Sequence, residues 1–356
     1  MKKIFTMLLF VFMSIAMLSC GKKHVYENGE VYVYNWGEYI DPEVIDMFEK
    51  EYDIDVIYDM FETNEEMYPI IEKGTVLYDA ICPSEYMIQK MIKNDLLLEL
   101  DKTKLSNLSN LNKEQMNFMS KVDPGNKYSV PYLGGTVGIL YNKTLLDEKN
   151  LPYPKTWADL WNEEYKGEIL MQNSVRDAFM VSLKKNGYSM NTKNENEVDV
   201  AKNDLIRQKP LVQAYVVDQV RDKMINGEAM IGVIYSGEVL YVQGEADGTY
   251  EYKYVLPEEG TNVWLDGFVI PKNSKNVENA HKWIDFLCRA DIGKLNAEYV
   301  TYETPNDASY AILDDEYKLE GDIVEDYTHG NNEVFEYLGE DIDALYGDKW
   351  KEVKSN

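Results

Sequence analysis

Two spacings of apolar residues alternate along this chain. VYVYNW (31–36) is an apolar run of strand length. After Asp41-Pro42, apolar residues recur at Val44, Ile45 and Phe48, the spacing of one helical face. Asp is a good helix N-cap and Pro suits the first helical turn, so a helix is predicted from there. DVIYDMF (55–61) predicts a second strand, followed by a helix from Asn64 to about Lys73 that Pro69 should kink or break. YDAICPS (78–84) predicts a third strand, with a helix from about Tyr86. GEILMQN (167–173), MIGVIYS (230–236) and YEYKYVLP (250–257) read as further strands, and VENAHKWIDFL (277–287) as an amphipathic helix. KTWADLWNEEYKG starts a helix at Thr156, with Asp159 three residues on in the manner of a capping box. Strands alternating with helices predict an α/β fold with a mostly parallel sheet and helices on both faces.

Three segments depart from this alternation. KYSVPYLGGTVGILYNK (127–143) is long and extended, with Gly134-Gly135 in its middle. NVWLDGFVIP (262–271) resembles a second such crossing, and a third could lie in TYETPN, which Pro305 and Asn306 close. A chain of 356 residues suggests about two domains. Three crossings between two α/β lobes would leave a cleft between them, where paired lobes bind ligands and close about a hinge. The tail from about Asp307 is polar and partly helical.

The N-terminus is a separate unit. MKK is followed by an apolar run from Ile4 to Met17, too short to span a bilayer comfortably and of signal-peptide length. Met17-Leu18-Ser19-Cys20, followed by Gly21, resembles the lipobox of bacterial lipoproteins, with Met17 where Leu is usual. That resemblance implies a signal peptide over 1–20, a lipidated Cys20 and a tether that does not cross the membrane. The alternative is plain secretion with cleavage near Ser19. Cys82 lies in a strand-like run and Cys288 in a helix, and they read as two separate buried thiols.

The net charge is −27, with 36 basic and 63 acidic residues. Nucleic acid and anionic lipid are therefore poor partners, while a cationic ligand would be drawn in. Charge of this sign also keeps an exported protein soluble. Catalytic signatures are absent. The three histidines, His24, His281 and His329, form no metal or nucleophile motif, and no phosphate loop or zinc spacing is present. No metal or cofactor is expected. Carboxylate pairs of the glycosidase type arise by chance among so many acids.

A recurrence at strand ends is more specific, because ligands of doubly wound sheets sit beyond the carboxyl ends of the strands. Trp36, Glu38 and Tyr39 follow the first strand, and Ser84 and Tyr86 the third. Asp177 follows GEILMQN, Tyr235 and Glu238 close MIGVIYS, Trp264 and Asp266 lie on the second crossing, and Tyr302 on the third. The set is aromatic rings and carboxylates, with Arg176 as the exception. An ammonium over an aromatic face gains about 2 kcal/mol or more when desolvated, carboxylates bond its N–H groups, and aromatic walls cover a methylene chain. The matching ligand is a flexible aliphatic chain with ammonium ends. The blander reading makes Trp36 and Trp264 packing residues, Ser84 a helix cap, and Asp177 with Arg176 a surface pair. Asp266 resists it, because it interrupts an apolar run and a buried carboxylate needs a partner. Trp157, Trp161 and Trp283 fall on helical faces and read as core.

From about Val31 to Val353 the chain resembles the polyamine-binding proteins of bacterial ABC transporters, the spermidine/putrescine type. The matches are YNWGEYI, YDAICPSEYM, SVPY, TWADLWNEEYKG, NVWLDGFVIP, ENAHKWIDFL and TYETPN. TWADLW and the ENAHKWIDFL helix are shared with many extracytoplasmic solute-binding proteins; YNWGEYI, the Pro-Ser-x-Tyr turn and the Trp-x-Asp of WLDGF are more diagnostic. The resemblance implies an α/β, two-lobe periplasmic-binding-protein fold of type II with three hinge crossings. Lobe 1 would be 27–133 and 264–302, and lobe 2 would be 134–263 and 303–353. It implies a monomeric receptor without enzymatic activity, exported to the periplasm or cell surface, that passes putrescine or spermidine to a membrane permease. Trp36, Tyr39, Tyr86, Tyr235, Trp264 and Tyr302 would form an aromatic box, with Tyr235 where the family usually has Trp. Asp266 would meet a ligand nitrogen, Asp177 would hold a terminal ammonium in place of a family Glu, and Glu38 and Ser84 would serve the other end. Glu336 falls where spermidine-specific members have Gln. Ser174 stands where spermidine-preferring members carry Asp, Glu238 where putrescine-preferring members carry Asp, and Trp264 follows the spermidine pattern, so the choice between diamine and triamine stays open. The alternatives are a receptor for another solute such as a sugar, an exported carbohydrate-active enzyme, and a surface adhesin or sensor.

Overall fold

The computed structural model describes residues 25–246, 248–318 and 330–356. The leader 1–20 with its lipidation position Cys20, and His24 and His329, lie outside the described residues. Nine strands are present among them: β1 Glu30–Trp36, β2 Asp55–Phe61, β3 Ala80–Ile81, β4 Ser129–Asn142, β5 Ile169–Gln172, β6 Val212–Val216, β7 Ile231–Tyr235, β8 Tyr252–Val255 and β9 Val263–Val269. They pair in the order β2-β1-β3-β9-β4-β7-β5-β6, with β8 also alongside β4. Parallel pairing joins β1 to β2 and β3, and β5 to β6 and β7. Every pairing of β4 and β9 is antiparallel. The sheet is thus mixed rather than mostly parallel. Two long strands that are not part of β-α-β units are inserted between its parallel groups.

The strand β4 links these groups. Ser129, Val130 and Pro131 pair with Val269, Phe268 and Gly267 of β9, and Val137–Tyr141 pair with β7. The register shifts between Pro131 and Gly134, where a residue without an N–H is tolerated. The third extended segment joins here, because Gly134 N–H donates to the carbonyl of Glu303 at 2.9 Å.

The helices follow their caps. Asp41 accepts from Glu43 N–H at the start of Pro42–Tyr52, and Thr63 from Glu66 N–H at the start of Asn64–Lys73. The latter helix runs through Pro69 without a break. Pro69 sits only one and a half turns in, so it removes a single backbone bond, to the Glu65 carbonyl. YDAICPS is strand only at Ala80–Ile81. KTWADLWNEEYKG forms two short 3-10 turns, Trp157–Trp161 and Glu163–Tyr165, instead of an α-helix. The Asp159 carboxylate there accepts from Lys155 N–H, Thr156 N–H and the Thr156 hydroxyl, which fixes the first turn.

Trp157 and Trp283 are fully buried, as are Phe48, Phe179, Phe268 and Phe286. Phe48 packs edge-on against Trp283 and Phe286, locking Pro42–Tyr52 to the helix Val277–Leu287. Each such side chain contributes roughly 1.5–3 kcal/mol of burial. Cys82 and Cys288 are buried free thiols. His281 is structural: its Nε2 accepts from Asp101 N–H at 3.0 Å, which leaves Nδ1 to donate to the Val277 carbonyl. No helix among the described residues is long and apolar enough to cross a membrane.

Candidate ligand-binding cleft

The carboxyl ends of β1, β2, β3, β5, β6 and β7 converge on a cleft. Eleven of the twelve predicted ligand positions line it: Trp36, Glu38 and Tyr39 from the end of β1, Ser84 and Tyr86 after β3, Asp177 after β5, Tyr235 and Glu238 at β7, Trp264 and Asp266 on β9, and Tyr302. Glu336 does not. Its side chain is exposed, and its carbonyl accepts from the Arg176 guanidinium at 3.2 Å. The neighbouring Phe335, 3% exposed, lines the cleft instead.

Four rings form a box. Tyr39 and Tyr302 meet edge-to-face at 5.3 Å, Trp264 and Tyr302 at 5.5 Å, and Tyr235 and Trp264 at 6.0 Å. Tyr39 is held from behind: its carbonyl accepts from the Tyr132 hydroxyl at 2.7 Å. Asn296 in turn donates to that hydroxyl and accepts from Asp41 N–H. Tyr302 follows Thr301, which takes a left-handed conformation (φ 61°) and donates its hydroxyl to the Gly237 carbonyl. Gly237 is required there, since a Cβ on it would lie 2.3 Å from the Tyr302 ring. Trp36 stands apart from the box and packs on Phe61 at 4.5 Å.

Asn64 organises the other end by donating to the Ser84 and Tyr86 hydroxyls, each at 3.1 Å, and Tyr86 donates to Glu65. Ser84 holds the N-cap position of the helix Glu85–Lys93, yet its side chain makes no cap bond. Arg176 does not form a surface pair with Asp177. It is buried, with its guanidinium 4.4 Å from the centre of the Phe335 ring.

The carboxyl groups carry the electrostatics. Asp266 is 4% exposed, and burial pushes its pKa up to about 7, with the Ser84 and Tyr39 hydroxyls holding it down. Glu85 is fully buried and is raised to about 8 by burial and by Asp266. Burial also raises Asp177 and, strongly, Glu238. One oxygen of each is buried without a hydrogen-bond partner: Asp266 Oδ1, Glu85 Oε1, Asp177 Oδ1 and Glu238 Oε2. Buried polar atoms are normally paired, so four unpaired carboxylate oxygens around one cleft mark places for donors that a ligand would bring. Among the described residues no group of three or more His, Cys, Asp or Glu side chains is placed to hold a metal ion.

Sequence reasoning missed Glu85, Asp218 and Arg221. Glu85 is the first residue of a helix, where an acid is ordinary, and nothing local shows its burial. Asp218 and Arg221 follow β6, a strand beyond those predicted from the sequence. The run VQAYVV after Lys209-Pro210 carries the strand signal, and the same strand-end rule would have led to both.

Residues 43–324 match the family described as bacterial extracellular solute-binding protein. The spermidine/putrescine-binding periplasmic protein of Escherichia coli K12 is 38% identical over 300 residues, 84% of each chain. A solved Listeria monocytogenes structure matches with a TM-score of 0.86 at 37% identity, covering 91% of this chain and 98% of that one. The spermidine/putrescine ABC transporter substrate-binding protein PotD of Streptococcus pneumoniae, solved with calcium and HEPES, matches with a TM-score of 0.74 at 36% identity over 92% and 99%. The chain belongs to the bacterial extracellular solute-binding protein family.

Proposed function

We propose that this protein is the substrate-binding receptor of an ABC importer, which captures putrescine or spermidine and delivers it to a membrane permease without catalysing a reaction. One observation carries the reading: Asp266 is buried among aromatic rings with an unpartnered oxygen and a pKa raised to about 7. A carboxylate kept in that state is unfavourable unless a cation arrives. Asp177, on the helix after β5, and Glu238, on the helix after β7, are likewise buried with an unpartnered oxygen, so the cleft suits more than one ammonium group. Four tyrosine and tryptophan rings cover the apolar chain between them and add cation–π attraction. The names of relatives more than a third identical over most of their length agree with this ligand class.

The ligand would lie between two lobes, with β4, β9 and the segment around Tyr302–Asn306 as the three crossings. Closure would bury the polyamine and present the permease with a surface that the open form lacks. Cys20 would carry the lipid anchor, which would keep a monomeric receptor at the membrane outside the cytoplasm. A sugar would also stack on Trp264, but hydroxyls would leave the carboxylates unneutralised.

Thermal melting of protein unfolded, stripped of copurified ligand and refolded tests this. Polyamines should raise the midpoint by several degrees, and a panel of sugars should leave it unchanged. Stabilisation by a sugar with none by polyamines would remove the reading.

A further inference from the structure

The cleft holds a cation of its own at one end. Arg221 lies on the helix Gln219–Ile225, just beyond the carboxyl end of β6, and lines the cleft beside Glu38, Asp218 and Glu238. Its side chain is 15% exposed and its guanidinium lies 4.7 Å from the centre of the Tyr241 ring. Buried structural arginines are normally saturated by short bonds. Arg221 is not: its Nε is buried without a partner, and its ion pair with Glu38 is 3.7 Å long. Glu238 Oε2, whose charge acts on Arg221, is itself unpartnered. The guanidinium therefore neutralises this group of carboxylates at a distance and binds none of them tightly.

The opposite end is different. Arg176 lines it and also has an unpartnered Nε, but its terminal nitrogens bond the Glu336 carbonyl and Asn191 rather than Asp177 or Asp266. Those two carboxylates are left for a ligand. The two arginines thus differ in their bonding: Arg176 is tied to Glu336 and Asn191, while the ion pair of Arg221 with Glu38 is 3.7 Å long.

We propose that Arg221 is a built-in counter-cation that stands where a third ligand ammonium would sit, and so sets the receptor's preference toward a diamine over a triamine. This rests on the polyamine reading above. A triamine must either displace the guanidinium or place an ammonium beside it, and both are unfavourable. A diamine is held by Asp177 and Asp266 without competing.

The test is calorimetric titration of the refolded protein and of Arg221→Gln and Arg221→Lys with putrescine and spermidine. Wild type should prefer putrescine. Arg221→Gln should shift the affinity ratio toward spermidine by at least about tenfold, because the vacated carboxylates accept the third ammonium. Arg221→Lys, which keeps the charge, should retain the wild-type preference. A merely structural arginine would weaken both ligands together and leave the ratio alone. An unchanged ratio in Arg221→Gln, with wild type still binding, overturns the proposal and leaves the polyamine reading standing. Wild type that binds neither ligand overturns both.

Discussion

The Tyr235 hydroxyl donates to Oδ2 of Asp177 at 3.0 Å, while Oδ1 of the same carboxylate is buried with no partner. One aromatic wall of the box thus also aims a carboxylate. Tyr235→Phe keeps the ring and removes only the aim. Hydrogen bonds to charged groups contribute about 1.5–3 kcal/mol, so polyamine affinity should fall roughly tenfold to a hundredfold by titration. An unchanged affinity would mean that Asp177 does not hold the ligand.

The raised carboxyl pKa values predict how stability and binding depend on pH. Asp266 moves from an ordinary 3.8 to about 7 and Glu85 from 4.5 to about 8, so the folded, ligand-free protein retains protons that the unfolded chain has lost. Where the folded state binds more protons, stability falls as pH rises. The contribution is complete below about pH 4 and is lost as pH rises through 7 to 8. Between pH 5 and 8, denaturant unfolding should show a steeper loss of stability for the free wild type than for Asp266→Asn. Binding has the opposite slope, because an ammonium needs the ionised acid. Affinity should rise from pH 6 to pH 8, with protons released on binding. Titrations at pH 7 in buffers of different ionisation enthalpy detect that release, and zero release would contradict the assignment.

Gly237 lies directly under the Tyr302 ring. Gly237→Ala must push the ring aside, and overpacking of this kind costs about 1–3 kcal/mol. We expect polyamine affinity to fall between about fivefold and a hundredfold with every carboxylate intact. If the box is irrelevant to binding, affinity will be unchanged while stability drops.

Asn296 ties the start of the helix Pro42–Tyr52 to Tyr132, and through it to Tyr39. Asn296→Ala leaves buried polar groups without partners, at about 1–3 kcal/mol. Urea unfolding should show that loss of stability. Spared stability would show that water replaces the amide.

The strand-end rule explains why so much of the lining of the candidate cleft was legible. Runs ending in Trp36, Ser84 and Tyr235 declare themselves by composition, and whatever follows a parallel strand at its carboxyl end faces the ligand side. Glu336 failed because it lies on irregular chain, where no period says which of two neighbours faces inward. Glu85 failed because burial of a helix-start acid is decided by β9, 180 residues away in sequence, whose Leu265 N–H it accepts. The mixed sheet was hidden for a similar reason. Strand period reveals a strand but not its direction beside a partner from elsewhere in the chain.

The central claim is that Asp266 meets a ligand cation. Calorimetric titration of refolded, ligand-stripped protein with putrescine and spermidine, beside Asp266→Asn, tests it most directly. At least one polyamine should bind with micromolar or tighter affinity. Because removing one member of a buried charge pair costs about 2–5 kcal/mol, binding should weaken by about thirtyfold or more in the variant. Equal affinity in both proteins, or no polyamine binding by the wild type, would contradict it.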